Sequence, residues 1–127
     1  MTGVQTCALP IFHFETSTLE SFRTDRTFQT VFCINAINHV ADLEVSMNRL
    51  VELVEPGGQL AFSIDAHNWS LFKYVLRWIP GDILHPHQYD VEEYRTMLTS
   101  RGLLIRSSVL IKRGFIFNYY LIVADKP

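Results

Sequence analysis

Apolar residues crowd into short blocks along this chain, and the period of the blocks changes from one to the next. Phe28-Gln29-Thr30-Val31-Phe32-Cys33-Ile34 is a mostly continuous apolar run rich in β-formers. Such a run suits a strand covered on both faces, as in a parallel sheet. The period then becomes helical. Met47, Leu50, Val51 and Val54 fall at i, i+3, i+4 and i+7, and Asp42 stands where it can cap the helix. Pro56-Gly57-Gly58 stops that helix and turns the chain, because Pro lacks a donor and Gly tolerates positive φ. Residues 59–65 read as a second buried strand. Strand, helix, Gly-rich turn, strand is a βαβ unit, which predicts a parallel pair around Val31 and Phe62 joined by a right-handed crossover.

Beyond it, residues 69–79 form an amphipathic stretch with Phe72, Val75, Leu76 and Ile79 on one helical face, broken by Pro80-Gly81. Lys73 and Arg77 on its polar side would suit a membrane surface, but a substrate-side helix packed on the domain is the simpler reading. His85-Pro86-His87-Gln88-Tyr89 reads as a loop. Asp90 with Glu93 three residues later makes a capping box for a helix burying Val91, Tyr94, Met97 and Leu98, with Gly102 at its C′ position. Residues 103–111 and 115–124 are strands separated by Lys112-Arg113-Gly114, hence an antiparallel hairpin. The last strand is expected between those around Phe62 and Ile105.

Charge and cysteine content narrow the classes. A formal net charge of −2 on a chain without basic clusters leaves no electrostatic footprint for nucleic acid. No apolar run approaches the roughly 18 residues that cross a bilayer. Cys7 and Cys33 are the only cysteines, too few for a disulfide framework, and a reducing cytoplasm is the natural setting. Met1-Thr2-Gly3-Val4-Gln5-Thr6-Cys7-Ala8-Leu9-Pro10-Ile11 resembles the in-frame translation of a sequencing-adapter oligonucleotide started at GTG. Residues 1–11 are therefore expected to be an artefact foreign to the gene, and residues 12–127 a partial domain.

From Phe12 onward the chain resembles the second half of a class I S-adenosylmethionine-dependent methyltransferase of the type 11-like kind. Three segments carry the resemblance in order: Ser17-Thr18-Leu19-Glu20-Ser21-Phe22, then residues 28–42 with their Asn38-His39-Val40-Ala41-Asp42 ending, then Val54-Glu55-Pro56-Gly57-Gly58-Gln59-Leu60. Gln29 stands where the family usually has Asp, and Thr18 where it usually has an acidic residue. The resemblance implies an α/β Rossmann-like methyltransferase fold, N-terminally truncated, with a mostly parallel sheet and a C-terminal antiparallel hairpin. It implies S-adenosylmethionine as cofactor and a small-molecule nucleophile as substrate. The family's Gly-rich cofactor loop would lie upstream of Phe12, so the chain alone is expected to be inactive and prone to self-association through an open sheet edge.

The same resemblance puts Thr18 and Leu19 beside the adenine, and Ile34, Asn35 and Ala36 on the cofactor wall. The carboxyl end of a parallel strand is where open α/β sheets bind ligands. Asp65, His85, His87 and Tyr89 fall on the substrate side. His39 is either a general base or substrate contact, or a histidine packing near a helix start. His85 and His87, two apart and lacking a third ligand, make no metal site. Asp42 reads as a helix cap, Cys33 as a small buried hydrophobe, and Tyr119 and Tyr120 as sheet residues. Two other readings remain: a non-catalytic α/β interaction module or subunit, and a dinucleotide-binding reductase fragment. The Pro-Gly-Gly turn and closing hairpin argue against the second.

Overall fold

The computed structural model describes residues 12–68 and 89–127. Four strands and two helices carry the fold: β1 (Phe28–Cys33), α1 (Leu43–Leu53), β2 (Val54–His67), α2 (Val91–Thr99), β3 (Leu104–Lys112) and β4 (Phe117–Asp125), with one 3-10 turn at Ile37–His39. The sheet order is β1-β2-β4-β3. β1 runs parallel to β2, with Val31 opposite Leu60 and Cys33 opposite Phe62. β4 is antiparallel to both β2 and β3, with Phe62 opposite Ile122 and Ser108 opposite the same residue. The last strand thus inserts between its predicted neighbours. Among the described residues the sheet is mixed: the β1–β2 pair is parallel, and the C-terminal hairpin adds two antiparallel pairs, since antiparallel strands need only a short loop.

The helix signals are met in detail. Asp42 accepts from the Val45 amide at 3.0 Å and caps α1. At the other end the Lys126 ammonium donates to the carbonyls of Val51 and Val54 at 2.9 and 2.8 Å, where a cation meets the negative pole of the helix. α2 has a complete capping box: Glu93 N–H donates to Asp90 Oδ1, and Asp90 N–H donates to Glu93 Oε2, both at 2.9 Å. It ends with Gly102 N–H donating to Thr99 and Leu103 N–H to Leu98, at 3.0 and 3.2 Å. That is a Schellman closure with Gly102 at φ 85, in the conformation that glycine adopts without penalty.

One sheet face packs under the helices. Leu60, Phe62, Ile64 and Ala66 of β2 join Ile122 and Ala124 of β4 in a core with Met47 and Leu50 of α1 and Tyr94 and Leu98 of α2. The period-2 alternation of the strands and the 3.6-residue period of the helices meet there. Pro56-Gly57-Gly58 differs from expectation. α1 ends at Leu53 without it, and the three residues lie inside β2 as a bulge: between Phe28 and Thr30 on β1, β2 advances from Val54 to Gln59. The chain crosses so close to β1 here that a Cβ on Gly58 would lie 2.7 Å from the Gln29 carbonyl oxygen. Residues 1–11, the amphipathic stretch 69–79 and both His85 and His87 lie outside the described residues.

Candidate functional site

β1 pairs with β2 as far as Cys33, and the chain then leaves the sheet at its carboxyl edge. Asn35 makes that exit with φ 50, the one non-glycine residue with positive φ among those described. Asn tolerates the left-handed region better than most residues because its side chain can bond locally. The Asn35 amide donates to Ser63 Oγ at 2.7 Å, and the same oxygen accepts from the Tyr119 hydroxyl at 2.7 Å. Ser63 is buried in β2, so a side chain of the central strand holds the turn.

Three residues further on, a side chain of the turn reaches the other way, to the β2 backbone. Asn38 is completely buried. Its Nδ2 donates to the Asp65 carbonyl at 2.9 Å and to the Tyr94 hydroxyl at 3.1 Å, while its Oδ1 accepts from the Asp65 amide at 3.1 Å. Since β1 has already ended, this amide takes the place of a strand neighbour for the β2 backbone at Asp65. Buried backbone groups need such a partner. Tyr94 packs at ring-centroid distances of 6.1 Å from Phe62 and 5.8 Å from Tyr89, so the clamp rests on the aromatic core.

The exit turn forms one wall of a cleft of about 430 Å³. Thr18 and Leu19 face Phe32, Ile34 and Ala36 across it. Phe32 and Ile34 are 71% and 52% exposed, large apolar side chains open to whatever enters. Thr18 spends its hydroxyl locally, 2.7 Å from Ser21 Oγ and accepting from the Ser21 amide at 3.2 Å. Leu19 packs on the core cluster. Glu20 ties this turn to the start of α1, its Oε1 accepting from the amides of Ala41 and Asp42 at 2.8 and 3.2 Å. Backbone hydrogen bonds, first from its own amide and then from that of Asp42, hold its carboxyl below the ordinary range. Cys33, also on the cleft, is the opposite case: burial pushes its thiol up to about 11, so it is a neutral apolar contact near pH 7.

Four of the five residues expected at the cofactor, Thr18, Leu19, Ile34 and Ala36, are therefore brought together in one cleft. Asn35 lies between two of them but turns its amide to Ser63. His39 is exposed at the end of the 3-10 turn that follows. Asp65 stands at the carboxyl end of β2, held through its backbone. Tyr89 does not join the cleft. Its carbonyl accepts from the His67 amide at 3.0 Å, and its side chain borders a separate depression of about 440 Å³ beside α2. Tyr119 is a sheet residue, as expected, but one whose hydroxyl serves the exit turn. The roles of Asn38, Ser63, Tyr119 and Glu20 in holding the site carried no local signal in the sequence. The nearest to one is Ser63, a polar residue within the apolar run of β2. Among the described residues no group of three or more His, Cys, Asp or Glu side chains could hold a metal ion, and no helix is long and apolar enough to cross a membrane.

No family model matches the chain. It is 30% identical over 84 residues to a ubiquinone biosynthesis O-methyltransferase of Nitrobacter winogradskyi, covering 61% of this chain and 31% of that protein. The chain spans less than half the length of the curated relatives it matches. Among solved structures it is similar to an SAM-dependent methyltransferase of Methanosarcina mazei, with TM-score 0.68, 17% identity, and coverage of 89% of this chain and 66% of that one. It is also similar to the magnesium protoporphyrin IX methyltransferase of Synechocystis with bound SAH, with TM-score 0.64, 18% identity, and coverage of 90% and 51%. The architecture is thus the α/β, Rossmann-like fold of the SAM-dependent methyltransferases.

Proposed function

We propose that this protein is an S-adenosylmethionine-dependent methyltransferase acting on a small-molecule nucleophile in a reducing, cytoplasmic setting. The observation that carries the reading is the cleft at the carboxyl end of β1, where Thr18 and Leu19 face Ile34 and Ala36 within this fold. An apolar slot walled by Leu19, Phe32 and Ile34 fits a flat, weakly polar ring such as adenine, which gains from leaving water on both faces. The relatives' name favours oxygen as the accepting atom.

The cofactor supplies an activated methyl group, and the work left to the protein is alignment and exclusion of water. Leu19 and Ile34 would hold the adenine end, on a wall shaped by the exit turn. His39, exposed just past that wall, would take the acceptor's proton in this reading, since a neutral imidazole nitrogen can accept one. Asp65 and Tyr89 belong on the acceptor's side in this reading.

The 127 residues by themselves offer this site an apolar wall and few polar partners, so the reading includes weak binding and no useful turnover by the chain alone. It also includes self-association, because β1 is an edge strand among the described residues and Phe32 on it is exposed. Isothermal titration with S-adenosylmethionine tests the proposal in two arms. The 127-residue chain is expected to show no saturation at micromolar ligand, and the complete gene product to bind and to transfer a labelled methyl group. A complete product that binds no S-adenosyl compound overturns the reading. Micromolar binding by the short chain would move the cofactor site elsewhere.

A further inference from the structure

The cofactor wall is a turn of irregular backbone, and its shape is decided by side chains that never touch the cleft. Ile34 and Ala36 line the cleft while Asn35 between them, at φ 50, does not. For both neighbours to face the same way, the peptide joining Ile34 to Asn35 must hold one orientation. What fixes it is the hydrogen bond from the Asn35 amide to Ser63 Oγ. Ser63 is 1% exposed and sits on β2 opposite Leu121, on a strand paired on both sides. Its oxygen is held in turn by the Tyr119 hydroxyl, from the next strand over.

We infer that Ser63 and Tyr119 are positioning residues for the proposed cofactor site, acting through the Asn35 amide to set the wall formed by Ile34 and Ala36. The inference rests on the reading above for what the wall binds. The chemistry asks for these residue types. A serine hydroxyl offers two acceptor lone pairs at short reach, and here one faces an amide and the other a phenol. Alanine in its place leaves the amide and the phenol without that acceptor, and the turn is then free to relax toward the ordinary φ < 0 regions. Tyr119 is more distant: it restricts where the Ser63 oxygen lies but makes no contact with the turn itself. The relay is therefore ordered, Ser63 before Tyr119.

The test uses the complete gene product with S-adenosylhomocysteine as probe, comparing Ser63→Ala, Ser63→Thr, Tyr119→Phe and the Ser63→Ala/Tyr119→Phe pair. Losing one hydrogen bond of this kind corresponds to roughly a 3- to 10-fold change in affinity. Ser63→Ala is expected to raise the dissociation constant by about that factor, and Tyr119→Phe by less. The pair should be no worse than Ser63→Ala alone, because both act through one oxygen. Ser63→Thr keeps the hydroxyl and should restore binding. In turnover the loss should appear in the KM for the cofactor, with kcat at saturation kept, and the backbone amide of Asn35 should exchange with solvent faster in Ser63→Ala. A wild-type protein that binds the probe while Ser63→Ala binds it equally well overturns the inference and leaves the methyltransferase reading standing. Loss in Ser63→Ala that Ser63→Thr does not restore also overturns it, since bulk and not the hydroxyl would then be responsible. A wild-type protein that fails to bind the probe removes both.

Discussion

The parallel pair β1–β2 is irregular at both of its ends, and the two ends solve the problem differently. At the amino end the bulge at Pro56-Gly57-Gly58 is made possible by what is missing. Gly57 has φ 84, and Gly58 leaves no room for a Cβ between the Gln29 and Glu55 carbonyls, 2.7 and 2.9 Å away. The chain's tail then seals the bulge by backbone alone, Gly57 N–H donating to the Lys126 carbonyl at 2.7 Å and Lys126 N–H to Gly58 at 2.9 Å. At the carboxyl end the exit turn contains no glycine. Its left-handed residue is Asn35, whose amide is held by the Ser63 side chain, while the Asn38 side chain of the turn holds the β2 backbone at Asp65. One end is shaped by sterics and main-chain bonds, the other by side-chain amides and hydroxyls. Ligand binding in open α/β sheets belongs to the second end. A turn held by side chains can be tuned by substitution without rebuilding the sheet, which a glycine bulge cannot.

Substitutions at the two ends should separate these mechanisms. The largest effect is expected from Gly58→Val, whose Cβ meets two backbone oxygens that cannot move without parting β1 from β2. A loss of about 3 kcal/mol, read as a shift in the midpoint of urea unfolding, is the expected result. A loss near zero would show that the bulge is slack. Next comes Asn38→Ala, which removes the buried amide that partners the Asp65 backbone. It should cost about 2 kcal/mol by the same measurement. A loss near zero would show that the Asp65 backbone finds another partner once the amide is gone.

Gly57→Ala should cost less, about 1 kcal/mol, because only the positive φ opposes it and nothing lies within 4 Å of the added Cβ. If Gly57→Ala proves as damaging as Gly58→Val, conformation and not space governs the amino end.

The smallest effect concerns pH and the loop facing the exit turn. Glu20 holds the Thr18–Leu19 turn to α1 with a carboxyl whose folded pKa is lowered. Its contribution is present above the unfolded carboxylate pKa and is lost as pH falls through the lower folded value. Acid unfolding of wild type and Glu20→Gln should therefore converge at low pH, with the wild type more stable at neutrality. Parallel curves over the whole range would detach Glu20 from the turn.

Local signals in the chain foretold much of this. Asp90 and Glu93 announced a capping box, Gly102 a helix end, the tight turn after Ile111 a hairpin, and the helical period from Met47 to Val51 the buried face of α1. Each works within a few residues, so its physics is complete in the sequence. The resemblance read from residues 17–60 likewise named Thr18, Leu19, Ile34 and Ala36, and these four meet in one cleft. The tertiary structure alone decided the rest. Pro56-Gly57-Gly58 looked like a helix stop because its other partner, Gln29, is far away in sequence. Ser63 and Asn38 looked like ordinary polar residues because their meaning lies in backbone groups of Asn35 and Asp65, 28 and 27 residues distant. A hydrogen bond of that kind leaves no periodicity, and only folding brings its two halves together.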